Sequence, residues 1–132
     1  TVKLGNIDSE RDFTFVSDTA SGIISALFSE NAIGETINLG SGKSYKIKHI
    51  VELVSSILDT KVKIVINKDR LRPFDVNKLI CDNRKARKIL GWEPTVSFKD
   101  GLENTINWIK QNNIQLRTPF RGWPKQYREI KR

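Results

Sequence analysis

Residues 35–58, "ETINLGSGKSYKIKHIVELVSSIL", change their hydrophobic period within one short stretch. Ile37 and Leu39 alternate with polar neighbours, the period of a strand; beyond Gly40-Ser41-Gly42, the residues Ile47, Ile50, Val51, Val54, Ile57 and Leu58 recur at helical spacing. A strand stopped by a glycine turn and followed by an amphipathic helix is α/β in character. The spacing predicts a strand over residues 35–39 and a helix after the turn. Lys46, at the start of that helix, offers no capping hydroxyl or carboxylate.

The rest of the chain repeats this alternation. "TVKLG" reads as a short strand, and after "NIDSE" the chain re-enters extended structure at Asp12 to Phe15. Val16, Ala20, Ile23, Ile24 and Leu27 then follow helical spacing, with Ser17 or Asp18 available as the cap. "VKIVI", residues 62–66, is β-branched and predicts another strand. Pro73 excludes regular helix from "LRPFDV", and "LIC" is a brief extended piece. Asp82 or Asn83 caps a helix running to Leu90, where Gly91 ends it in the left-handed conformation. Ser97 and Asp100 form a capping-box arrangement before a helix that turns Phe98, Leu102, Ile106 and Ile109 inward. No repeat or low-complexity segment interrupts the pattern.

At 132 residues, 38% of them hydrophobic, the chain can bury one modest core. No run approaches the roughly 18 to 20 consecutive apolar residues of a spanning helix, and the amino terminus lacks a basic-then-apolar signal pattern. The expectation is a soluble, cytoplasmic protein with no membrane partner. The chain opens at Thr1 inside a strand-like stretch and contains no methionine, which suggests a start cut from a longer protein. Cys81, the only cysteine, excludes an internal disulfide and fits a reducing compartment.

The net charge of +8 suggests nucleic acid until its distribution is counted. Residues 1–109 carry 16 Lys/Arg and 14 Asp/Glu, a net +2, whereas residues 110–132 carry seven basic residues and one acidic, a net +6. The basicity belongs to a tail. Residues 113–132 interleave Phe120, Trp123 and Tyr127 with Arg121, Lys125 and Arg128, a mixture that single-stranded nucleic acid or an anionic surface can use. No nucleic-acid motif accompanies it, and the favoured reading is an extension whose aromatics pack back on the body while its charges face water.

Few residues offer catalytic chemistry. His49, the sole histidine, lies within the second helix among charged neighbours and reads as a surface residue, not a base. One cysteine, one histidine and dispersed carboxylates give no metal-ligand spacing. "GSG" lacks the lysine and hydroxyl of a P-loop and reads as a tight turn. Tyr127 and Lys131 have the spacing of a proton-transfer pair but sit in the basic tail, where the spacing is coincidental. What remains is a set of arginines: Arg11 before a strand, and Arg70 and Arg72 in "RLRPFD". Two guanidinium groups from distant segments make a good clamp for a diphosphate, because each can meet phosphate oxygens in a planar, bidentate fashion.

The order "RDFTFVSDTASGI", "GETINLGSG", a helix rich in Ile and Val, "RLRPFDV" and "DNRKARKILGWEPTVSFKDGLENTINWI" closely resembles the carboxy-terminal part of the extended short-chain dehydrogenase/reductase family, the nucleotide-sugar epimerases and 4,6-dehydratases. The likeness runs over roughly residues 3–110, its segments in order at plausible separations. It implies a small mixed α/β substrate-binding portion over residues 1–112, without the Rossmann nucleotide-binding core that holds NAD or NADP in the full-length enzyme. "LGNIDSERDFTFVSDT" is most similar to the dehydratase branch, which includes enzymes acting on UDP-N-acetylglucosamine, GDP-mannose or dTDP-glucose.

Carried over position by position, the resemblance implies that Arg11 reaches the substrate diphosphate and that Phe13 lies beside the nucleotide or sugar. Arg72 would hold the phosphates from the other side, and Asp75 would approach the ribose or orient the arginine. Arg70 is a further neighbour. Asn38 and Gly40 are structural, and Trp92 is core. None of the eight glycines forms a G-x-x-G-x-x-G, so the resemblance places cofactor-binding and catalytic residues outside this chain, which holds neither these nor a metal site.

The implied function is the nucleotide-sugar-binding part of an NAD(P)-dependent nucleotide-sugar 4,6-dehydratase, inactive alone. The alternatives are a 4-epimerase of the same family, or an interaction domain that takes nucleic acid or an acidic partner through its tail. In the whole enzyme the resemblance implies hydride transfer from the sugar C4 to NAD with a tyrosine as base, then water elimination in a dehydratase or hydride return in an epimerase. The implied partners are a nucleoside-diphosphate sugar, the Rossmann portion and a second subunit of a homodimer. The resemblance also leads one to expect the strand of residues 35–39 and the helix of residues 17–28 to pack against the Rossmann portion.

Overall fold

One apolar strand pair and one short three-stranded sheet organise the molecule, a computed structural model that describes residues 1–72 and 74–112. β1 (Val2–Leu4) and β4 (Ile64–Ile66) pair in parallel, Val2 opposite Ile64 and Leu4 opposite Ile66. A separate three-stranded sheet has β2 (Glu10–Asp12) at its centre, with β3 (Ser44–Lys46) antiparallel on one side and β5 (Lys78–Leu79) parallel on the other. Arg11 is therefore placed between Tyr45 and Leu79 in the middle of this sheet. Four helices complete the fold: α1 (Val16–Leu27), α2 (Ile47–Ile57), α3 (Arg84–Leu90) and α4 (Phe98–Gln111). α1 packs on α3, and α2 packs on β3 and α4. The mixed α/β class expected from the alternation is the one observed. No helix among the described residues is long and apolar enough to cross a membrane.

The helix signals with local causes are reproduced. Ser97 caps α4 by accepting from the Asp100 amide at 3.1 Å, and its hydroxyl donates to the Asp100 carboxylate at 2.6 Å. Ile106 is buried, and Phe98, Leu102 and Ile109 are partly covered, so the inward face of α4 is the expected one. Gly91 ends α3 with φ of 61°. α2 begins at Lys46 without a side-chain cap, as its sequence implies.

Three expectations are corrected. Neither Ser17 nor Asp18 caps α1; the cap position is Phe15, with no side-chain bond. Asp18 is instead 3% exposed and accepts from the Thr95 amide, the Thr95 hydroxyl and the Val96 amide at 3.1, 2.9 and 3.0 Å. A carboxylate offered three donors on a distant segment gains more there than at a solvated helix end. The strand expected at Asp12 to Phe15 lies earlier, at Glu10–Asp12, and β3 stands where the sequence shows no strand pattern.

Residues 35–39 form no strand. Their apolar alternation is real, but among the described residues no backbone–backbone hydrogen bond joins residues 36–40 to another segment, and an extended segment becomes a strand only when a neighbour pairs with it. The adjoining face of α1 is likewise uncovered: Leu27, Phe28 and Ile33 are 76%, 81% and 81% exposed, and Val16, Ile23 and Ile24 are exposed beside them. A contiguous apolar surface of this kind drives association. The purified chain is expected to self-associate as its concentration rises, and Ile24→Lys with Leu27→Lys should restore a monomer. Sedimentation velocity reads this directly; a single sharp monomeric boundary at all concentrations, with high thermal stability, contradicts it.

The buried centre is small. Ala86, Trp92 and Ile106 are its most enclosed apolar residues, and Trp92 is 5% exposed. The Trp92 indole N–H donates to the Asp18 carbonyl at 3.1 Å and to Ser21 Oγ at 2.9 Å, tying the α3–α4 connection to α1. The expectation that Trp92 is a core residue holds.

Candidate diphosphate-binding site

The site starts from one arginine and the bonds that aim it. Arg11 is three-quarters covered along its side chain. Its Nη1 donates to the carbonyls of Glu10 at 2.8 Å and Val76 at 2.6 Å, and its Nη2 to Asp75 Oδ1 at 2.7 Å. A guanidinium has five N–H donors. Three are engaged, which leaves the Nε–H and one Nη2–H without a partner among the described residues, a fork suited to an oxyanion.

Beside it lies an open cavity of about 580 Å³, walled by Arg11, Asp12, Thr14 and the segments 37–40 and 79–82. The two segments meet because Gly40 carries no side chain: a Cβ there would come within 2.2 Å of Cys81 Cβ. Asp12 holds both. It accepts from the Ser41 amide at 3.0 Å, the Ser41 hydroxyl at 2.5 Å, the Gly42 amide at 2.9 Å and the Cys81 amide at 3.1 Å. The Gly42 amide faces the carboxylate with a φ of 71°, a conformation that glycine adopts without strain. Asn83 adds a bond from Nδ2 to the Gly40 carbonyl at 3.0 Å. The amides of the glycine turn thus face Asp12, which supports reading "GSG" as a structural turn and not as a cradle for the phosphates of a cofactor.

Strand alternation explains how neighbouring residues do different work. Arg11 and Asp12 project to opposite faces of β2. Asp12 was not singled out among the candidate residues, although a carboxylate following the arginine, with a glycine-serine turn elsewhere in the chain to receive it, was the available signal. Asn83 was expected as a helix cap, but its amide turns to Gly40; Asp82 instead accepts from the Arg84 amide at 3.1 Å.

The local electrostatics keep the sulfur neutral. Burial pushes the Cys81 thiol up from its ordinary value, and Asp12 and Asp82 push it further. Asp82, held by the Arg84 side chain and amide, titrates at about 2 and remains a carboxylate at any ordinary pH. Because its folded value is lowered, what it contributes to stability is present above the unfolded value near 3.8 and is lost as pH falls toward 2.

The other expected site residues are distributed unevenly. Asp75 is in direct contact with Arg11. Phe13 does not line the cavity beside Arg11; its ring packs against Phe98 at 5.6 Å, Phe98 stacks on Tyr45 at 4.2 Å, and Phe13 borders a smaller hollow of about 230 Å³ with Lys43 and Tyr45. Arg72 is exposed on the segment leading to Asp75, and Arg70, also exposed, ends a 3-10 turn spanning Lys68–Arg70. Neither side chain has a hydrogen bond or ion pair among the described residues. His49 is exposed on α2, and no cluster of metal-ligating residues occurs among those described. The basic tail, with Arg121, Trp123 and Tyr127, lies outside the described residues.

The family model for GDP-mannose 4,6-dehydratase matches residues 1–105. The chain belongs to this family of extended short-chain dehydrogenases/reductases. Within the family it is 38% identical over 111 residues to a UDP-glucuronate 4-epimerase of Thermodesulfobacterium geofontis, covering 82% of this chain and 32% of that protein. It is 32% identical over 107 residues to a dTDP-4-dehydro-6-deoxyglucose reductase of Escherichia coli, covering 81% and 31%. A solved UDP-glucuronic acid 4-epimerase of Bacillus cereus, in complex with UDP-glucuronic acid and NAD, superposes with a TM-score of 0.75 at 31% identity over 83% of this chain and 35% of that one. This dehydrogenase/reductase-family chain therefore spans about a third of the length of the curated relatives it matches.

Proposed function

We propose that this chain is the nucleotide-sugar-binding part of an NAD(P)-dependent nucleotide-sugar enzyme, a 4,6-dehydratase in the first reading, in which Arg11 and Arg72 grip the substrate diphosphate. The observation that carries the proposal is the Arg11 guanidinium, fixed in plane by Asp75 and the Val76 carbonyl with two donors still unengaged among the described residues. An arginine held this way is pre-organised for phosphate oxygens. The 4-epimerase alternative draws support from the epimerase names among the relatives. Both readings share the same diphosphate clamp.

On this proposal the chain's own residues bind and orient. A bound nicotinamide supplies the hydride chemistry, held by a Rossmann portion that docks against the uncovered face of α1 and the unpaired segment 35–39, in an enzyme that is a homodimer. A second reading, a nucleic-acid or acidic-partner domain acting through residues 113–132, rests on tail charge alone.

Titrating the chain with UDP, GDP and dTDP, and separately with single-stranded DNA, tells the two apart. The expected result is saturable nucleoside-diphosphate binding that survives removal of residues 113–132. Steeply salt-dependent DNA binding that disappears with that truncation, with no nucleotide response, supports the second reading instead.

A further inference from the structure

We infer that Asn6 is a positioning residue for diphosphate recognition, acting through Asp75 on Arg11. The inference rests on the diphosphate reading and assigns roles within it. Asn6 Nδ2 donates to Asp75 Oδ2 at 3.0 Å, while Arg11 Nη2 donates to Asp75 Oδ1 at 2.7 Å. The carboxylate is thus gripped from both ends, one oxygen to each partner.

Asn6 is itself fixed. Its Oδ1 accepts from the Asp8 amide at 3.0 Å, which settles the orientation of the side-chain amide and leaves the Nδ2 donors for Asp75. The Asn6 carbonyl accepts from Ser9 Oγ at 3.2 Å, and Ser9 is 5% exposed. The turn before β2 is therefore a rigid platform.

Among the described residues, the segment that Asp75 anchors has little else to hold it. Leu71, Phe74 and Val76 are 46%, 97% and 58% exposed, so no apolar side chain of theirs is sunk into the body. Backbone pairing to β2 begins only afterwards, where the Glu10 amide donates to the Asn77 carbonyl at 2.7 Å. Ahead of that point, the Asn6–Asp75–Arg11 chain and the Arg11 bond to the Val76 carbonyl tie down the stretch that carries Arg72. Losing Asn6 frees the Asp75 carboxylate to rotate and so loosens the Nη2 end of Arg11, while Nη1 stays on the Glu10 and Val76 carbonyls.

The test uses the whole chain with two probes, UDP and, as the phosphate-free control, uridine. Asn6→Ala, and the isosteric Asn6→Asp, which keeps the Oδ1 acceptor but removes the donor, should each weaken UDP binding by about tenfold, the value of one lost hydrogen bond to a charged group. Asp75→Asn, which removes the charge that holds Arg11, should weaken UDP binding at least as much. Asn6→Ala in an Arg11→Ala background should add nothing. A ligand-free reading runs alongside: the Arg11 Nε–H should exchange with solvent faster in Asn6→Asp than in wild type.

Asn6 variants that bind UDP like wild type, with unaltered Arg11 exchange, overturn the relay. An Asp75→Asn protein that binds UDP like wild type likewise overturns it. If wild type fails to bind UDP at all, the diphosphate reading falls, and the exchange measurement alone still decides whether Asn6 positions Arg11.

Discussion

Trp92→Ala is expected to lower the stability of this chain by about 3–5 kcal/mol, the usual cost of removing a large buried aromatic. Trp92 is among the few enclosed apolar residues, and a Cβ on Gly22 would sit 3.1 Å from its ring, so α1 has been built to approach it closely. Two further losses follow from its indole N–H. The Asp18 carbonyl and Ser21 Oγ lose a donor, and the connection at residues 93–96 loses its main apolar anchor to α1. Since small domains are stable by only about 5–15 kcal/mol, this one change removes a large share of the total and should lower the unfolding midpoint markedly. Trp92→Phe should recover most of the apolar term and lose the hydrogen bonds, about 1–2 kcal/mol. Urea unfolding followed by far-ultraviolet circular dichroism measures both, free of the fluorescence of Trp108 and Trp123. Equal midpoints for Trp92→Ala and wild type contradict the packing described.

Arg11→Ala carries the second large effect, on binding. On the proposed reading, in a full-length protein carrying this segment, it is expected to weaken nucleotide-sugar affinity by about 2–5 kcal/mol, the loss that follows truncation of one member of a desolvated charge pair. Some of that loss is internal, because Asp75 is left with Asn6 as its remaining partner. Arg72→Ala should act in the same direction. Arg11→Lys should fall between wild type and alanine, since an ammonium keeps the charge but cannot hold Asp75, the Val76 carbonyl and a phosphate at once. Arg121→Ala in the tail is the control and should leave affinity unchanged. Isothermal titration of the four variants decides the matter; a tail variant that loses the ligand while Arg11→Ala and Arg72→Ala keep it moves the pocket elsewhere.

What could be read ahead from the amino acids follows the range of the interactions. α2 and α4 are specified by residues three and four apart and, for α4, by a cap three residues away, so both were legible. Gly91 was legible for the same local reason. Asp18 was misread as a cap because its partners, Thr95 and Val96, are 77 and 78 residues away and leave no trace in its neighbourhood. Residues 35–39 look like a strand because their alternation is that of one, yet a strand is a property of two segments and these pair with none among those described. The same distinction runs through the site. Arg11 and Arg72 stand out as arginines on separate segments, and Asp75 through what the family resemblance implies. Asn6 and Asp12 do not, since each matters only through bonds across the fold, from Asn6 to Asp75 and from Asp12 to Ser41, Gly42 and Cys81.

The claim that Arg11 is a diphosphate ligand is tested most directly by its own Nε–H resonance in the ¹⁵N-labelled chain. Added UDP should shift that signal saturably and slow its exchange with solvent, while uridine, with the same base and sugar but no phosphate, should leave it unmoved. A shift of equal size with both ligands, or none with UDP while tail resonances respond, contradicts the account.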